Sequence, residues 1–171
     1  DGDGDLDIII TGLRSGNYST RVYRNNTSPA NEVPAAPSTL QALLGANIVT
    51  LTWNKSTDPQ TPQNGLSYNL YIGTSPGSAD IKTPMSDPAN GYRRIVERGI
   101  QTNSWTIRNL PVGTYYWSVQ AIDHSFSGSL FAAESSFTVA FSNSVTPITD
   151  QVLGPNQSGN TLTVNESSTP D

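Results

Sequence analysis

Residues 110–123 read LPVGTYYWSVQAID, and this stretch decides the fold prediction. A turn containing proline and glycine leads into a run in which Tyr115, Trp117, Val119 and Ala121 occupy every second position. Successive side chains of a β-strand point to opposite faces, so these four residues share one face. The pattern predicts a strand with one side buried in a hydrophobic core.

Similar short alternating runs occur on either side of this stretch. These runs cover residues 48–53, 68–72, 105–107 and 136–141, in addition to the run at 115–123. Turn-rich segments separate the five runs. Several short strands at this spacing predict an all-β sandwich of the immunoglobulin-like type over residues 38–141. No segment has a helical period of useful length, although residues 91–100 could form a helical turn or an extra edge strand.

The segments outside the sandwich have a different composition. Residues 1–28 combine an acidic run, an apolar stretch, a turn at Ser15, Gly16 and Asn17 and a second alternating run, which predicts a β-hairpin. Residues 29–37 contain three prolines and predict a stiff linker. Residues 142–171 are polar, with weak strand candidates at 151–153 and 161–164, and are interpreted as a linker and the start of a following module.

The acidic run has the spacing of a metal-binding loop, with Asp1, Asp3, Asp5 and Asp7 at alternate positions. Calcium prefers six to eight oxygen ligands, and a loop with carboxylates at every second residue can wrap one cation. We place Gly4 at the sharp bend, because the alternative register puts a side chain where a positive φ is costly. In this register the first ligand position lies two residues before Asp1. We expect calcium to bind weakly.

Composition and charge exclude several classes of function. Hydrophobic residues make up 35% of the 171 and charged residues 13%, and the formal net charge is -5. Four of the 14 acidic residues belong to the N-terminal run, so the rest of the chain is close to neutral and has no basic stripe for nucleic acid. Cysteine is absent, which excludes disulfides and thiolate sites. The longest apolar run is far shorter than a membrane span of about 20 residues.

Residues 34–140 resemble a fibronectin type III domain. The resemblance is carried by Trp53 within LTWNKS, by YNLYIGTS from Tyr68, and by the turn before Tyr115. In this family a tryptophan lies at the centre of the core. A tyrosine hydroxyl also forms a hydrogen bond to the nearby backbone, an arrangement called the tyrosine corner, and we assign this corner to Tyr115 rather than Tyr116. The resemblance implies an extracellular spacer or adhesion module without catalysis.

Residues 1–26, with DGDGDLDIIITG, resemble the calcium loop and following strand of FG-GAP or VCBS repeats, which form blades of integrin-alpha-like β-propellers. The resemblance implies that residues 1–28 are the tail of one blade. Outside its propeller the strand at residues 8–10 lacks its partners. We expect it to pair with an edge of the sandwich, with residues 161–164, or with a second molecule.

Two patterns in the sequence resemble catalytic sites. His124 lies between Asp123 and Ser125, but neighbouring strand residues point apart, so these three side chains do not form a catalytic triad. A glycoside hydrolase would need a pair of catalytic carboxylates. The acidic residues that could supply such a pair lie in turn-like segments, and we interpret them as turn residues: Asp58, Asp80, Asp87, Glu97 and Glu134.

Carbohydrate binding is the stronger alternative, because exposed aromatic side chains can stack on sugar rings. The candidates are Tyr92, Trp105 and Tyr116, although we favour a place in the core for Trp105 and single surface positions for the two tyrosines. We therefore expect a fragment of a large secreted or cell-surface protein with a non-catalytic structural or adhesive function. The alternative is a carbohydrate-binding accessory domain of a polysaccharide-processing protein. Expected partners are other domains of the same chain, protein or glycan at the cell surface, or a second copy through the hairpin.

Overall fold

The computed structural model describes residues 5–140, which belong to the first of two compact units, Asp1–Phe141 and Ser142–Asp171. The described residues form eight β-strands and one turn of 3₁₀-helix at Gln63–Gly65. The strands are β1 Ile8–Arg14, β2 Asn17–Tyr23, β3 Ser38–Leu44, β4 Ile48–Asn54, β5 Ser67–Gly73, β6 Ser104–Arg108, β7 Gly113–Ile122 and β8 Ser135–Val139. Across residues 5–140 there is no helix that could span a bilayer.

Two three-stranded antiparallel sheets face each other and form an immunoglobulin-like β-sandwich. One sheet has the order β3-β4-β6 and the other the order β5-β7-β8. The all-β prediction is confirmed, and the five strand runs predicted from alternation correspond to β4 to β8 within one or two residues over the described part of the chain.

The core lies between the two sheets and is built from alternate residues of the central strands. Trp53 of β4 is 2% exposed and meets Tyr68 of β5 edge-on, with ring centroids 5.3 Å apart, and Trp117 of β7 at 6.4 Å. The remaining buried members of this cluster are Val49, Leu51, Leu70, Ile72, Tyr115, Val119, Ala121, Ala132 and Phe137. The predicted inward face of β7 is confirmed.

Tyr115 forms the expected corner at the start of β7. Its hydroxyl donates a hydrogen bond of 2.9 Å to the carbonyl oxygen of Pro111, four residues earlier. Leu110 packs against the core from the same turn. The assignment of the corner to Tyr115 is confirmed, and Tyr116 points to the opposite face of the sheet.

Strand β3 was not among the predicted runs. Its register on β4 shifts between Ser38 and Gln41, and Thr39 has a φ of +54° within this bulge. The strand pairs on one side only, and most of its side chains are exposed. An edge strand with a bulge has no regular alternation, so a period of two could not reveal it.

The segment between β5 and β6 is irregular, and residues 91–100 form neither a helical turn nor a regular edge strand. Two single bridges, Ile72 with Lys82 and Tyr68 with Ile100, attach this segment to the outer edge of β5. Tyr68 and Ile100 exchange backbone hydrogen bonds of 2.8 and 2.7 Å. A Cβ at Gly99 would lie 2.0 Å from the carbonyl oxygen of Tyr68, so this approach requires glycine.

The hairpin prediction is confirmed, because β1 and β2 pair from Ile8 with Tyr23 to Arg14 with Asn17. Ser15 and Gly16 form the two-residue turn with φ of 50° and 80°, as a turn of type I′ requires. The expectation that β1 pairs with an edge of the sandwich is wrong. The hairpin is a separate two-stranded sheet that pairs with no strand of the sandwich. Every residue of both of its strands is exposed.

The proline-rich linker packs against the sandwich instead of standing away from it. Pro34 and Pro37 are buried, and the backbone N–H of Ala35 donates to the carbonyl oxygen of Thr57 at 2.9 Å. Nearer the hairpin, Asn31 Nδ2 donates to the Asp123 carboxylate at 2.7 Å. The linker is therefore fixed to the sandwich at both of its ends.

Candidate functional site

The predicted calcium loop falls only partly within the described residues. Asp1 and Asp3 lie outside them, as do the strand candidates at 151–153 and 161–164. Asp7 Oδ1 accepts a hydrogen bond of 2.8 Å from the backbone N–H of Asn25, which ties the acidic run to the residues after β2. Asp5 is half-buried. Residues 5–140 contain no group of three or more potential metal ligands, so the four-aspartate site stays a prediction.

The side chains around His124 have separate partners. Asp123 is 4% exposed, and its carboxylate accepts from Asn31 Nδ2 and from the backbone N–H of Ser127 at 2.8 Å. The His124 ring contacts the hydroxyl of Thr61 through Nδ1. The carboxylate and the imidazole therefore have their hydrogen-bond partners in different segments of the chain.

Four of the five candidate carboxylates stabilise turns. Asp58 accepts from the backbone of Gln60, Asp87 from that of Ala89, and Glu134 from that of Gly77. Asp80 accepts from Ser78 Oγ at 2.7 Å and from the backbone and hydroxyl of Thr74 at 2.9 and 2.8 Å. These bonds hold the pKa of Asp80 at about 2. The remaining candidate, Glu97, accepts through its backbone oxygen from Arg93.

The outer face of the β5-β7-β8 sheet carries a buried polar network centred on Gln120. Its amide nitrogen donates to the carbonyl oxygens of Gly91 and Ser129, each at 2.6 Å. Its amide oxygen accepts from Ser86 Oγ at 2.7 Å and from Asn69 Nδ2 at 3.0 Å. Every hydrogen-bonding atom of the Gln120 amide is used, so the network fixes two loops to the sheet.

The first of these loops presents Tyr92. Gly91, whose carbonyl oxygen binds Gln120, has a φ of +74°, and a Cβ there would lie 2.5 Å from the carbonyl oxygen of Ser129. The backbone N–H of Tyr92 donates to Asn90 Oδ1 at 2.9 Å, and its carbonyl oxygen accepts from Asp87 at the same distance. The Tyr92 backbone is thus held while its side chain is 71% exposed.

A cleft of about 520 Å³ opens beside Tyr92. Its walls come from three separate parts of the chain: Val33 of the linker, Asn90, Gly91, Tyr92 and Arg93 of the segment after β5, and Phe126, Ser127 and Gly128 after β7. Phe126 has a φ of +64°, a conformation that is strained for a bulky side chain.

Arg93 is the charged group of this cleft. One terminal nitrogen, Nη2, donates to the carbonyl oxygen of Glu97 at 2.6 Å. Nε and Nη1 are buried without a hydrogen-bond partner among residues 5–140. Burial lowers the pKa of the guanidinium, while the charges of Asp123 and Glu97 raise it.

The three aromatic candidates for sugar stacking differ in their surroundings. Tyr92 is exposed in the cleft, whereas Tyr116 is half-buried. Trp105 packs against the core, with Lys82 Nζ 5.0 Å from its ring centroid. Arg93, Phe126 and Gln120 were not found from the sequence, because their roles depend on loops that meet only in the folded chain.

No protein-family model matches the chain, and no curated protein matches it. Among solved structures, the chain is similar to the extracellular region of rat CD45, domains d3-d4, with 11% identity and a TM-score of 0.45 over 78% of this chain and 64% of that one. It is also similar to the Clostridium perfringens spore cortex lytic enzyme SleM, with 15% identity and a TM-score of 0.42 over 75% of this chain and 36% of that one. The chain thus spans less than two thirds of each. The sandwich itself is defined by the sheet order and core described above.

Proposed function

We propose that this chain is a non-catalytic structural module of a larger secreted or cell-surface protein, and that it holds a preceding domain in a fixed direction. The observation that carries the proposal is the hydrogen bond from Asn31 to the buried Asp123 carboxylate. It attaches the segment before the sandwich to the loop after β7. A joint fixed in this way transmits orientation, which a free linker does not do.

Burial of the linker supports the same proposal. Pro34 and Pro37 lie against the sandwich, and proline has little backbone freedom to lose when it is fixed. The Ser56 hydroxyl donates a hydrogen bond to the carbonyl oxygen of Ala35, whose own N–H donates to Thr57. Residues 31–37 therefore form part of the folded module.

We further propose that the sandwich is a fibronectin type III domain and that residues 1–28 are the tail of an FG-GAP or VCBS repeat. The Tyr115 corner and the central Trp53 support the first assignment. The tight hairpin directly after the acidic run supports the second. In this proposal Asp1, Asp3, Asp5 and Asp7 contribute ligands for calcium, and other domains of the same protein, or protein or glycan at the cell surface, are the partners.

The joint is tested by measuring backbone mobility. Asn31→Ala removes the bond to Asp123 and leaves the sandwich core untouched. We expect the heteronuclear NOE values of residues 29–33 to fall while those of β4, β5 and β7 stay high. Asn64→Ala is the matched control, because Asn64 is an exposed asparagine whose side chain accepts a hydrogen bond from the Lys55 ammonium and does not contact the linker. Unchanged mobility at residues 29–33 in Asn31→Ala contradicts the proposed joint.

A further inference from the structure

The cleft beside Tyr92 has the composition of a small-molecule binding site. Ligand sites are concave, mostly apolar, and contain a few fixed polar groups that set orientation. Here Tyr92, Phe126 and Val33 supply apolar surface, and Asn90 and Arg93 supply polar groups. None of these residues contributes to the core of the sandwich.

The aromatic ring is exposed but its support is rigid. The loop that carries Tyr92 is fixed by Gln120 through Gly91, and a salt bridge of 2.6 Å joins Arg94 to Asp87 within the same loop. Exposure of a large aromatic side chain gains nothing for folding. A ring carried by a fixed backbone is already placed for contact with a ligand, so little backbone freedom is lost when one binds.

Backbone strain on the opposite wall is a second, independent observation. Phe126 has a φ of +64°, a strained conformation for a residue with this side chain. Such conformations are concentrated at binding sites, where surrounding structure enforces them. The loop is enforced here by two hydrogen bonds, from the backbone N–H of Phe126 to the Asp123 carbonyl at 3.3 Å and from the N–H of Ser127 to the Asp123 carboxylate.

Arg93 adds donors that lack acceptors. A buried donor without a partner is unfavourable, so the Arg93 guanidinium gains a hydrogen bond if it turns toward an oxygen atom that a ligand brings into the cleft. The negative charges of Asp123 and Glu97 lie close enough to act on the guanidinium, and they would repel an anionic ligand. The ligand therefore needs oxygen acceptors but no negative charge.

We propose that the cleft formed by Tyr92, Phe126, Arg93, Asn90 and Val33 binds a neutral oligosaccharide. The C–H face of a pyranose ring is apolar and is attracted to the electron-rich face of an aromatic ring, which Tyr92 presents. Sugar hydroxyls both accept and donate, so they suit the Arg93 N–H groups and the Asn90 amide. This activity is additional to the structural function of the module.

A peptide suits the cleft less well. Extended peptides bind by adding to the exposed edge of a sheet. The cleft residues all come from connecting segments, and none belongs to β3–β8. Main-chain pairing, the usual source of affinity for a peptide, is therefore not offered by the walls of the cleft.

The test is a titration of the whole ¹⁵N-labelled chain with cellohexaose, xylohexaose, laminarihexaose and mannohexaose, followed by amide chemical shifts. We expect at least one of these to shift amides at residues 31–33, 90–93 and 126–128, with a Kd of about 1 mM or below. Hexaproline and a heparin hexasaccharide are titrated in parallel as a peptide and an anion.

Variants separate stacking from general effects. Tyr92→Ala should weaken binding at least about tenfold, which corresponds to roughly 1.4 kcal/mol, whereas Tyr92→Phe should keep most of it because the ring remains. Tyr18→Ala is the matched control, since Tyr18 is an exposed tyrosine on the hairpin. Retained amide dispersion in each variant shows that the fold is intact.

Four results overturn the proposal: no shift with any of the neutral sugars, shifts only with the heparin hexasaccharide, shifts only with hexaproline, or equal affinity of Tyr92→Ala and the unmodified chain. The second and third reassign the cleft to an anion or to a proline-rich peptide. None of the four bears on the joint at Asn31, which is tested by backbone mobility alone.

Discussion

The side-chain amide of Gln120 donates a hydrogen bond of 2.6 Å to the carbonyl oxygen of Gly91, 29 residues earlier in the chain. This bond joins the central strand of one sheet to the loop that presents Tyr92. The same amide binds Ser129 on the other side, so one side chain in the sheet sets the positions of two loops.

Gln120→Leu should destabilise the protein by about 3 kcal/mol or more, because it leaves several buried polar groups without partners at about 1–3 kcal/mol each. Hydrogen exchange should quicken at residues 85–95 before it quickens in β4. Urea unfolding followed by fluorescence and exchange measured by NMR check both effects. Gln101→Leu, at an exposed position, is the control and should change stability little. A midpoint equal to that of the unmodified chain shows that the network is dispensable.

Trp53→Ala should lower the free energy of unfolding by about 3–5 kcal/mol, because it removes a large buried ring and leaves a cavity. The ring contacts Tyr68 and Trp117 at the centre of the core. Denaturant unfolding followed by circular dichroism measures the loss. Leu43→Ala is a suitable comparison, since Leu43 is 73% exposed and should cost far less. Equal midpoints for Trp53→Ala and the unmodified chain refute the core assignment.

Asp80 should titrate at about pH 2 in the folded protein, because hydrogen bonds from Ser78 and Thr74 favour its carboxylate form. Its pKa is lower when folded than when unfolded. Its contribution to stability is therefore complete above its ordinary pKa and is lost as the pH falls through about 2. A carbon-detected NMR titration of the carboxyl carbon measures this midpoint. Ser78→Ala should move the midpoint upward, and a midpoint near 4 in the unmodified chain would count against the turn geometry.

Calcium should bind the N-terminal run with a Kd of about 10⁻⁴ to 10⁻³ M, the range of weak extracellular sites. Asp7→Asn should weaken binding further, and an added aspartate two residues before Asp1 should strengthen it. Isothermal titration calorimetry gives both values, with Asp58→Asn as the control because Asp58 caps a distant turn. Submicromolar affinity in the unmodified chain, or no gain from the added aspartate, contradicts the chosen register.

The hairpin should associate with a second copy of itself through one particular face. Ile9, Thr11 and Leu13 of β1 lie opposite Val22, Thr20 and Tyr18 of β2, and this face carries no charge. The other face carries Arg14 and Arg21. Two copies can therefore meet through the uncharged face without repulsion between like charges.

Sedimentation should show concentration-dependent association that deletion of residues 1–28 removes. Leu13→Lys, on the uncharged face, should abolish it, whereas Ile10→Lys on the opposite face should reduce it less. A strict monomer at all concentrations, or equal effects of the two lysine variants, would refute association through this face.

Local patterns were enough to predict the strands that form the core. The alternation around Trp117 and the turn before Tyr115 depend only on neighbours in sequence, and both appear in the structure as expected. The absence of a helical period also correctly excluded an α-helix from the described part of the chain.

The candidate site could not be predicted in the same way. Its walls combine Val33, Tyr92 and Phe126, which are far apart in sequence and lie in segments without a repeating pattern. Of these residues the sequence indicates only Tyr92, as an aromatic residue that could be exposed. Gln120 falls at an outward position of an alternating strand, where a polar residue is usually solvated, and only the loops folded over it make it a buried member of the network.

The two single bridges on β5 have a consequence for a protein present at high local concentration. An uncovered strand edge is a template on which another chain can add a strand. Backbone hydrogen bonds with Lys82 and Ile100 already use groups of Ile72 and Tyr68 at two points along the edge of β5. The irregular chain between Lys82 and Ile100 cannot extend the sheet. Many copies of the module could therefore stand side by side without joining through β5 into a continuous sheet.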